Sequence, residues 1–215
     1  MRLEGTVQLV SITPDAERHI MYCARVSNPK NQDSDNTKLL DYCAKHGHWS
    51  IFEMANMVIE VSTSRAISAQ ILRHRSFSFQ EFSQRYAPVQ EFKTYRARSQ
   101  DPKNRQNSID NMSNEDREWF EGAQEAAQHT SQALYEEALR RGIAKEQARF
   151  LLPMSSSTKL YMNGSVRSWI TYLNVRCGPE TQREHREIAD AIKGIFKREM
   201  PIIHKAMGWD NAEEA

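Results

Sequence analysis

The sequence predicts an α+β fold in a single domain, a small sheet joined to long helices, and three observations carry that reading. Residues 58–61 and 158–162 read as short strands. Most of the remainder shows helix starts and stops, the longest span running from Ser113 to Gly142. A length of 215 residues suits one domain, or at most two. Such a chain can bury a real core despite a mean hydropathy of −0.73.

Residues 1–5 lead into a short strand-like segment without a signal-peptide core. Asn36 or Thr37 starts a helix in which Leu39, Leu40 and Cys43 face inward, Lys45 and His46 occupy the last turn, and Gly47 ends it. After the strand at 58–61, Ser64 caps a helix from Arg65 whose apolar side is Ile67, Ile71 and Leu72. Arg73, His74 and Arg75 fall at its end. Residues 90–112, with Asp101-Pro102 and a polar run at 104–107, read as a loop or excursion.

Ser113 caps the long helix from Asn114 toward Arg141, with Trp119, Ala123, Ala126, Leu134 and Leu139 as inward candidates and Gly142 as the stop. A helix of that length calls for a bundle partner or an oligomer interface. A shorter helix from Ala144 carries Arg149 and ends before Pro153. The strand at 158–162 closes at Asn163-Gly164. Ser165 then caps a helix of mixed polarity, one face for packing and one for a ligand, which ends between Arg176 and Gly178. Pro179 begins the last long helix, and residues 208–215 form a polar tail.

The formal net charge is +1, so a generally cationic nucleic-acid binder is disfavoured. No apolar run approaches the ~20 residues needed to span a bilayer, and a cytoplasmic location is expected. The three cysteines, Cys23, Cys43 and Cys177, form no paired framework and suit a reducing compartment. Cys43, His46 and His48 resemble half of a metal site, but no second ligand pair follows at a zinc-like spacing, and helix-end chemistry explains them more simply. No metal is expected.

Residues 73–86, Arg-His-Arg-Ser-Phe-Ser-Phe-Gln-Glu-Phe-Ser-Gln-Arg-Tyr, concentrate cations, hydroxyls and aromatic rings. Cations at a helix C-terminus face the negative end of its dipole, but that accounts only for residues 73–75. An extended segment of this composition offers hydroxyls, N–H groups and a guanidinium to a phosphate, and rings to flank a planar base. Glu81 is the lone carboxylate in the stretch. This is nucleotide chemistry.

The spacing of Arg73-His74-Arg75, Ser78, Gln80-Glu81, Ser83 and Arg85-Tyr86 resembles the signature of the flavin-dependent thymidylate synthases, with Gln80 where that family usually has Asn. Residues 24–27, 45–53, 148–153 and 173–176 are similar to further family blocks in the same order, so the resemblance covers roughly residues 5–200. Ile51 and Met54 stand where the family commonly has Pro and His. The resemblance implies a small, mostly antiparallel sheet with long helices, and a homotetramer whose sites are shared between subunits.

It also implies an activity: reductive methylation of deoxyuridylate (dUMP) to thymidylate (dTMP). Methylenetetrahydrofolate would be the one-carbon donor, flavin adenine dinucleotide (FAD) would deliver the hydride, and NADPH would reduce the flavin. No protein thiol would attack the ring, since none of the cysteines has the Pro-Cys context of the other thymidylate synthase family. FAD contacts carried over are Ser50, Arg73, His74, Arg75, Glu81, Ser165, Arg167 and Thr171, although the family often has Asn where Ser165 and Thr171 stand. The dUMP contacts are Gln70, Arg73, Glu81, Phe82, Ser83, Gln84, Arg85, Arg149 and Arg176.

Arg176 is the catalytic candidate, because a cation beside the pyrimidine stabilises its ionised form. Arg149 and Ser83 are read as phosphate ligands, and His46, His48 and His74 as packing or flavin contacts rather than general bases. The alternative is a non-catalytic protein that binds nucleotide or flavin.

Overall fold

A computed structural model describes residues 7–89 and 91–210. Its sheet has the order β1-β2-β6-β3, with every neighbouring pair antiparallel. The strands are β1 (Val7–Ile12), β2 (Asn56–Ser64), β3 (Ser78–Glu81) and β6 (Ser157–Ser165). The central pair is in register from Asn56↔Ser165 to Ser64↔Ser157. Both central strands alternate: Met57, Ile59, Val61 and Thr63 point to the buried face of β2, and Thr158, Leu160 and Met162 to that of β6.

Each central strand feeds a helix directly, β2 into α3 (Arg65–Ile71) and β6 into α6 (Val166–Arg176). With α1 (Ala16–Ala24), α2 (Lys38–Lys45), α7 (Arg183–Glu199) and α8 (Pro201–Ala206), these helices enclose one large core with the sheet. α7 buries His185, Ile188, Ala189, Ile192, Ile195 and Phe196, the stripe expected of an amphipathic helix. In α2 Leu40 and Cys43 are buried, Leu39 packs against the core, and Gly47 takes φ +69° beyond the helix end, as predicted.

Several local expectations are corrected. Ser64 occupies the N-cap position of α3 without capping it, because its hydroxyl accepts from Tyr95 Oη at 2.6 Å. The carbonyls of Ser156 and Met154 satisfy the first N–H groups of α3 instead. Leu72 is exposed, whereas Ile67 and Ile71 are buried. Asn163-Gly164 does not close β6, which continues to Ser165 because Gly164 pairs with Met57 and the Phe77 ring lies on it. Pro179 sits in a turn, and α7 begins at Arg183. The polar tail begins later than expected, since Trp209 is buried and donates Nε1–H to Asn174 Oδ1 at 2.8 Å. Residues 1–5 and 211–215 lie outside the described residues.

The polar excursion folds into a small hairpin of β4 (Ser99–Gln100) and β5 (Ser108–Ile109), tied by Asp101, whose Oδ1 accepts from the N–H groups of Lys103 and Asn104. Ser113 caps α4 (Asn114–Arg140) by accepting from Asp116 N at 3.0 Å. The inward face of α4 differs from expectation. Trp119 and Leu134 are 71% and 53% exposed, and Ala123 and Ala126 are exposed too. Gln124 and Gln128 face inward because they meet the unladdered backbone of the segment before β4. Gln124 bonds both Tyr95 N and Tyr95 O, and Gln128 donates to Lys93 O. Apolar burial on α4 is confined to Tyr135, Ala138 and Leu139, packed with Ala148 of α5 (Lys145–Ala148).

Candidate active site

The predicted site residues fall into three clusters. The first forms where α3 ends and the chain runs back along α6. His74 follows α3, and Arg176 in the last turn of α6 donates Nε–H to His74 Nε2 at 2.8 Å. Burial, reinforced by the Arg176 charge, lowers the His74 pKa to about 4. The ring is therefore a neutral acceptor at neutral pH, and the guanidinium is anchored without being neutralised. Further along, Ser168 Oγ donates to Ser76 O at 3.2 Å, and the Phe77 ring packs edge-on against Trp169.

Behind His74 lies a buried polar pair that sequence reading did not single out. The Tyr172 ring meets His74 edge-on with 4.9 Å between centroids. The Tyr172 hydroxyl lies 3.1 Å from His185 Nε2, and His185 Nδ1 lies 3.4 Å from Gln70 Oε1. Burial, with the charges of Arg176 and His74, lowers the His185 pKa to about 3. Gln70 Nε2 then donates to Gln182 Oε1 at 2.6 Å, so Gln70, His74, Arg176 and His185 form one connected group. The available signal was His185 itself, a histidine on the apolar stripe of α7, where a polar ring must find partners.

The second cluster is the turn after β3. Glu81 pairs with Arg65 Nη1 at 2.8 Å and accepts from Thr158 Oγ1 at 2.9 Å, while Arg65 Nη2 donates to Phe82 O. Arg65 was read only as a helix start. Ser83 closes the turn: its carbonyl accepts from Tyr86 N and Ala87 N, and its hydroxyl from Arg85 N at 3.3 Å. Gln84 is buried, and Phe82 lies at the surface. The start of α5 docks here, through Lys145 Nζ to Tyr86 O at 3.0 Å and Glu146 to Arg85 at 3.6 Å. Arg149, in the 3₁₀ turn that follows, lies over the Phe150 ring.

The third cluster surrounds the start of α6. Ser165 caps the helix by accepting from Ser168 N at 3.3 Å. Arg167 pairs with Glu53 at 3.1 Å, beside Ser50 in the 3₁₀ turn Trp49–Glu53, and Thr171 donates to Arg167 O. Arg167, Thr171 and Val175 form the exposed stripe of α6, so the helix does have one packing face and one open face.

Within one chain Ser168 links the first and third clusters through Ser76 O and Ser165 Oγ, but their charged groups lie apart. His74 and Glu81 sit at opposite ends of α3, roughly 10 Å of helix, and Arg167 and Arg176 near opposite ends of α6, roughly 14 Å apart along it. Arg65, Arg85 and Arg167 have carboxylate partners. Among the described residues Arg73, Arg75, Arg149 and Arg176 have none, and each could take a phosphate or another anion without first breaking an ion pair.

The thiols are placed differently. Burial raises the pKa of Cys43, and burial with neighbouring Asp190 pushes Cys177 up to about 12. Cys23 lies on α1 beside His19. His46 stacks on Tyr42, and among the described residues no group of three or more His, Cys, Asp and Glu side chains could hold a metal.

The sequence family described as thymidylate synthase complementing protein matches residues 8–202. The chain is 56% identical over 190 residues to the flavin-dependent thymidylate synthase of a Synechocystis strain, an alignment that covers 88% of each protein. The chain belongs to the flavin-dependent thymidylate synthase family. A probable flavin-dependent thymidylate synthase of Paramecium bursaria Chlorella virus 1 is 51% identical over 214 residues, covering 95% of this chain and 99% of the viral one. Among solved structures, the UMP/dUMP methylase PolB of Streptomyces cacaoi bound to 5-Br dUMP superposes with a TM-score of 0.85, at 26% identity and 94% coverage of both chains.

Within this family the chain's departures have identifiable places. Ile51 packs against the core and Met54 is 47% exposed.

Proposed function

We propose that the chain carries out the reductive methylation of dUMP to dTMP, with methylenetetrahydrofolate as the one-carbon donor and NADPH as the reductant, without a protein thiol nucleophile. The observation that carries this reading is the Arg176–His74 contact at 2.8 Å, a cation held by a neutral ring and without a carboxylate partner among the described residues. Uracil C5 is a poor nucleophile. A fixed guanidinium beside the pyrimidine favours its ionised form without any covalent adduct at C6. The raised pKa values of Cys43 and Cys177 agree with a route that uses no thiolate.

Bound FAD would supply the hydride and the electron-transfer chemistry. The donor set suits it: Arg73 and Arg75 are exposed cations beside His74, and Ser50, Ser165, Arg167 and Thr171 line the start of α6, while Glu81 offers a carboxylate held in place by Arg65. For the nucleotide, Ser83, Gln84, Arg85 and Arg149 would take the phosphate, Gln70 and Arg176 the base and sugar, and Phe82 a ring face. That assignment is carried over from the motif resemblance of these positions, and it suits a chain whose relatives include flavin-dependent thymidylate synthases and, among solved structures, a UMP/dUMP methylase.

The same reading includes a homotetramer. The charged groups of the clusters lie apart within one chain, and α4 carries exposed Trp119 and Leu134, so a second protomer would complete the site and cover that face. A cytoplasmic location fits the free cysteines; no helix among the described residues is long and apolar enough to cross a membrane.

The test is tritium release from C5-labelled dUMP by purified protein given FAD, NADPH and methylenetetrahydrofolate, with each omitted in turn. Release that requires flavin and reductant and is matched by dTMP is expected. No release from folded, flavin-loaded protein would overturn the reading.

A further inference from the structure

The polar chain behind Gln70 continues beyond Gln182. Gln182 Nε2 donates to Glu184 Oε2 at 2.9 Å, and Arg98 Nη2 pairs with Glu184 Oε1 at 2.6 Å, each side chain of the ion pair 13% exposed. Burial alone would raise the Glu184 pKa, but the bonds from Gln182 and Arg98 outweigh it and hold the carboxyl ionised. An ionised carboxylate only accepts hydrogen bonds.

That end of the chain dictates every other orientation. Gln182 must turn its NH₂ to Glu184, which leaves its oxygen facing Gln70. Gln70 must therefore turn its own NH₂ to Gln182 and its oxygen to His185. His185 must carry its proton on Nδ1, so its Nε2 accepts from the Tyr172 hydroxyl. All the donors point the same way, from Tyr172 toward Glu184. A flip of any one amide would set donor against donor and acceptor against acceptor.

We infer that the Arg98–Glu184 ion pair, acting through Gln182, fixes which end of the Gln70 amide the nucleotide meets, which makes Arg98, Glu184 and Gln182 positioning residues for substrate recognition. The inference rests on the reading of Gln70 as a nucleotide ligand. A glutamine amide has nearly the same shape in both orientations but opposite hydrogen-bonding character. With one N–H and one oxygen lone pair committed to the chain, the other N–H and lone pair are offered in fixed places. The ion pair achieves this from outside the cluster, with Arg98 just before the hairpin and Glu184 at the start of α7.

Glu184→Gln tests it. Arg98 donates only, so the new carboxamide turns its oxygen to Arg98 and its NH₂ to Gln182. The whole chain then reverses, and the His185 proton moves from Nδ1 to Nε2. Nitrogen-15 spectra of ring-labelled histidine report that move, with the His185 signal assigned by its loss in His185→Phe. Tyr172→Phe should leave the proton on Nδ1, because the polarity is set from Glu184.

In turnover, Glu184→Gln should raise the KM for dUMP on the order of tenfold, the cost of one mismatched hydrogen bond, with kcat nearly retained. Glu184→Asp, which keeps the carboxylate, should recover most of that loss. A proton that stays on Nδ1 in Glu184→Gln overturns the inference. So does a proton that moves while the KM for dUMP stays unchanged. Failure of the parent protein to bind dUMP at all, with the proton moving as described, would instead overturn the functional reading beneath it.

Discussion

Arg176 and Arg85 are both arginines assigned to the nucleotide, yet their surroundings differ. Arg176 is anchored on a neutral histidine inside the fold, and Arg85 is half exposed beside Glu146. Arg176→Ala should therefore depress kcat far more than it weakens dUMP binding, whereas Arg85→Ala should raise the KM for dUMP first; steady-state kinetics with direct dUMP titration separate the two. Equal loss of affinity in both variants would contradict the division.

The histidines give a second prediction at this scale. His74 and His185 have ordinary pKa values near 6.5, lowered in the folded chain to about 4 and about 3. As pH falls below 6.5, the unfolded chain takes up protons that the native state refuses. Stability from this source is full above pH ~6.5 and is lost progressively toward pH ~4 and below. The urea midpoint should fall between pH 7 and pH 4.5, and His185→Gln should flatten that fall. The concentration of cations, hydroxyls and rings in residues 73–86 was legible from residue types alone. Arg65, Tyr172, His185 and the Arg98–Glu184 pair were not, because each gains its meaning from a partner distant in sequence.

At the level of elements, the strand-to-helix junctions organise the site, and Gly164 sits in one of them. A Cβ at Gly164 would lie 2.5 Å from Phe77 ring carbons, and that ring is buried against Trp169 and Tyr172. Gly164→Ala should push the ring and the 73–77 segment off α6, costing about 1–3 kcal/mol by overpacking, read from denaturant midpoints. Flavin retention should drop with it. Sequence placed α2, α4 and α6 and the central strands well, since caps, stops and periodicity are local signals. It ended β6 too early because Asn-Gly is a turn signal, and only the packing of Phe77 shows why a glycine belongs in the strand.

For the whole molecule, the question is what covers α4. Trp119 and Leu134 lie exposed on it, away from the buried Tyr135 and Ala138, while its glutamines hold the segment before the hairpin. Trp119→Glu should leave the protomer folded by circular dichroism but shift the assembly to smaller species by light scattering, with dTMP synthesis reduced in proportion. A variant that keeps its assembly and full activity would show that this face is not an interface.

By itself the sequence determined the chemistry and most of the helical framework, because a dense run of cations, hydroxyls and rings and the signals that start and stop helices are encoded in neighbouring residues. Only the tertiary structure decided which arginines are left without carboxylates, which histidines are buried and neutral, and which way the Gln70 amide points. Those properties depend on burial and on hydrogen bonds between α3, α6, α7 and the hairpin, contacts whose partners the order of residues along the chain does not name.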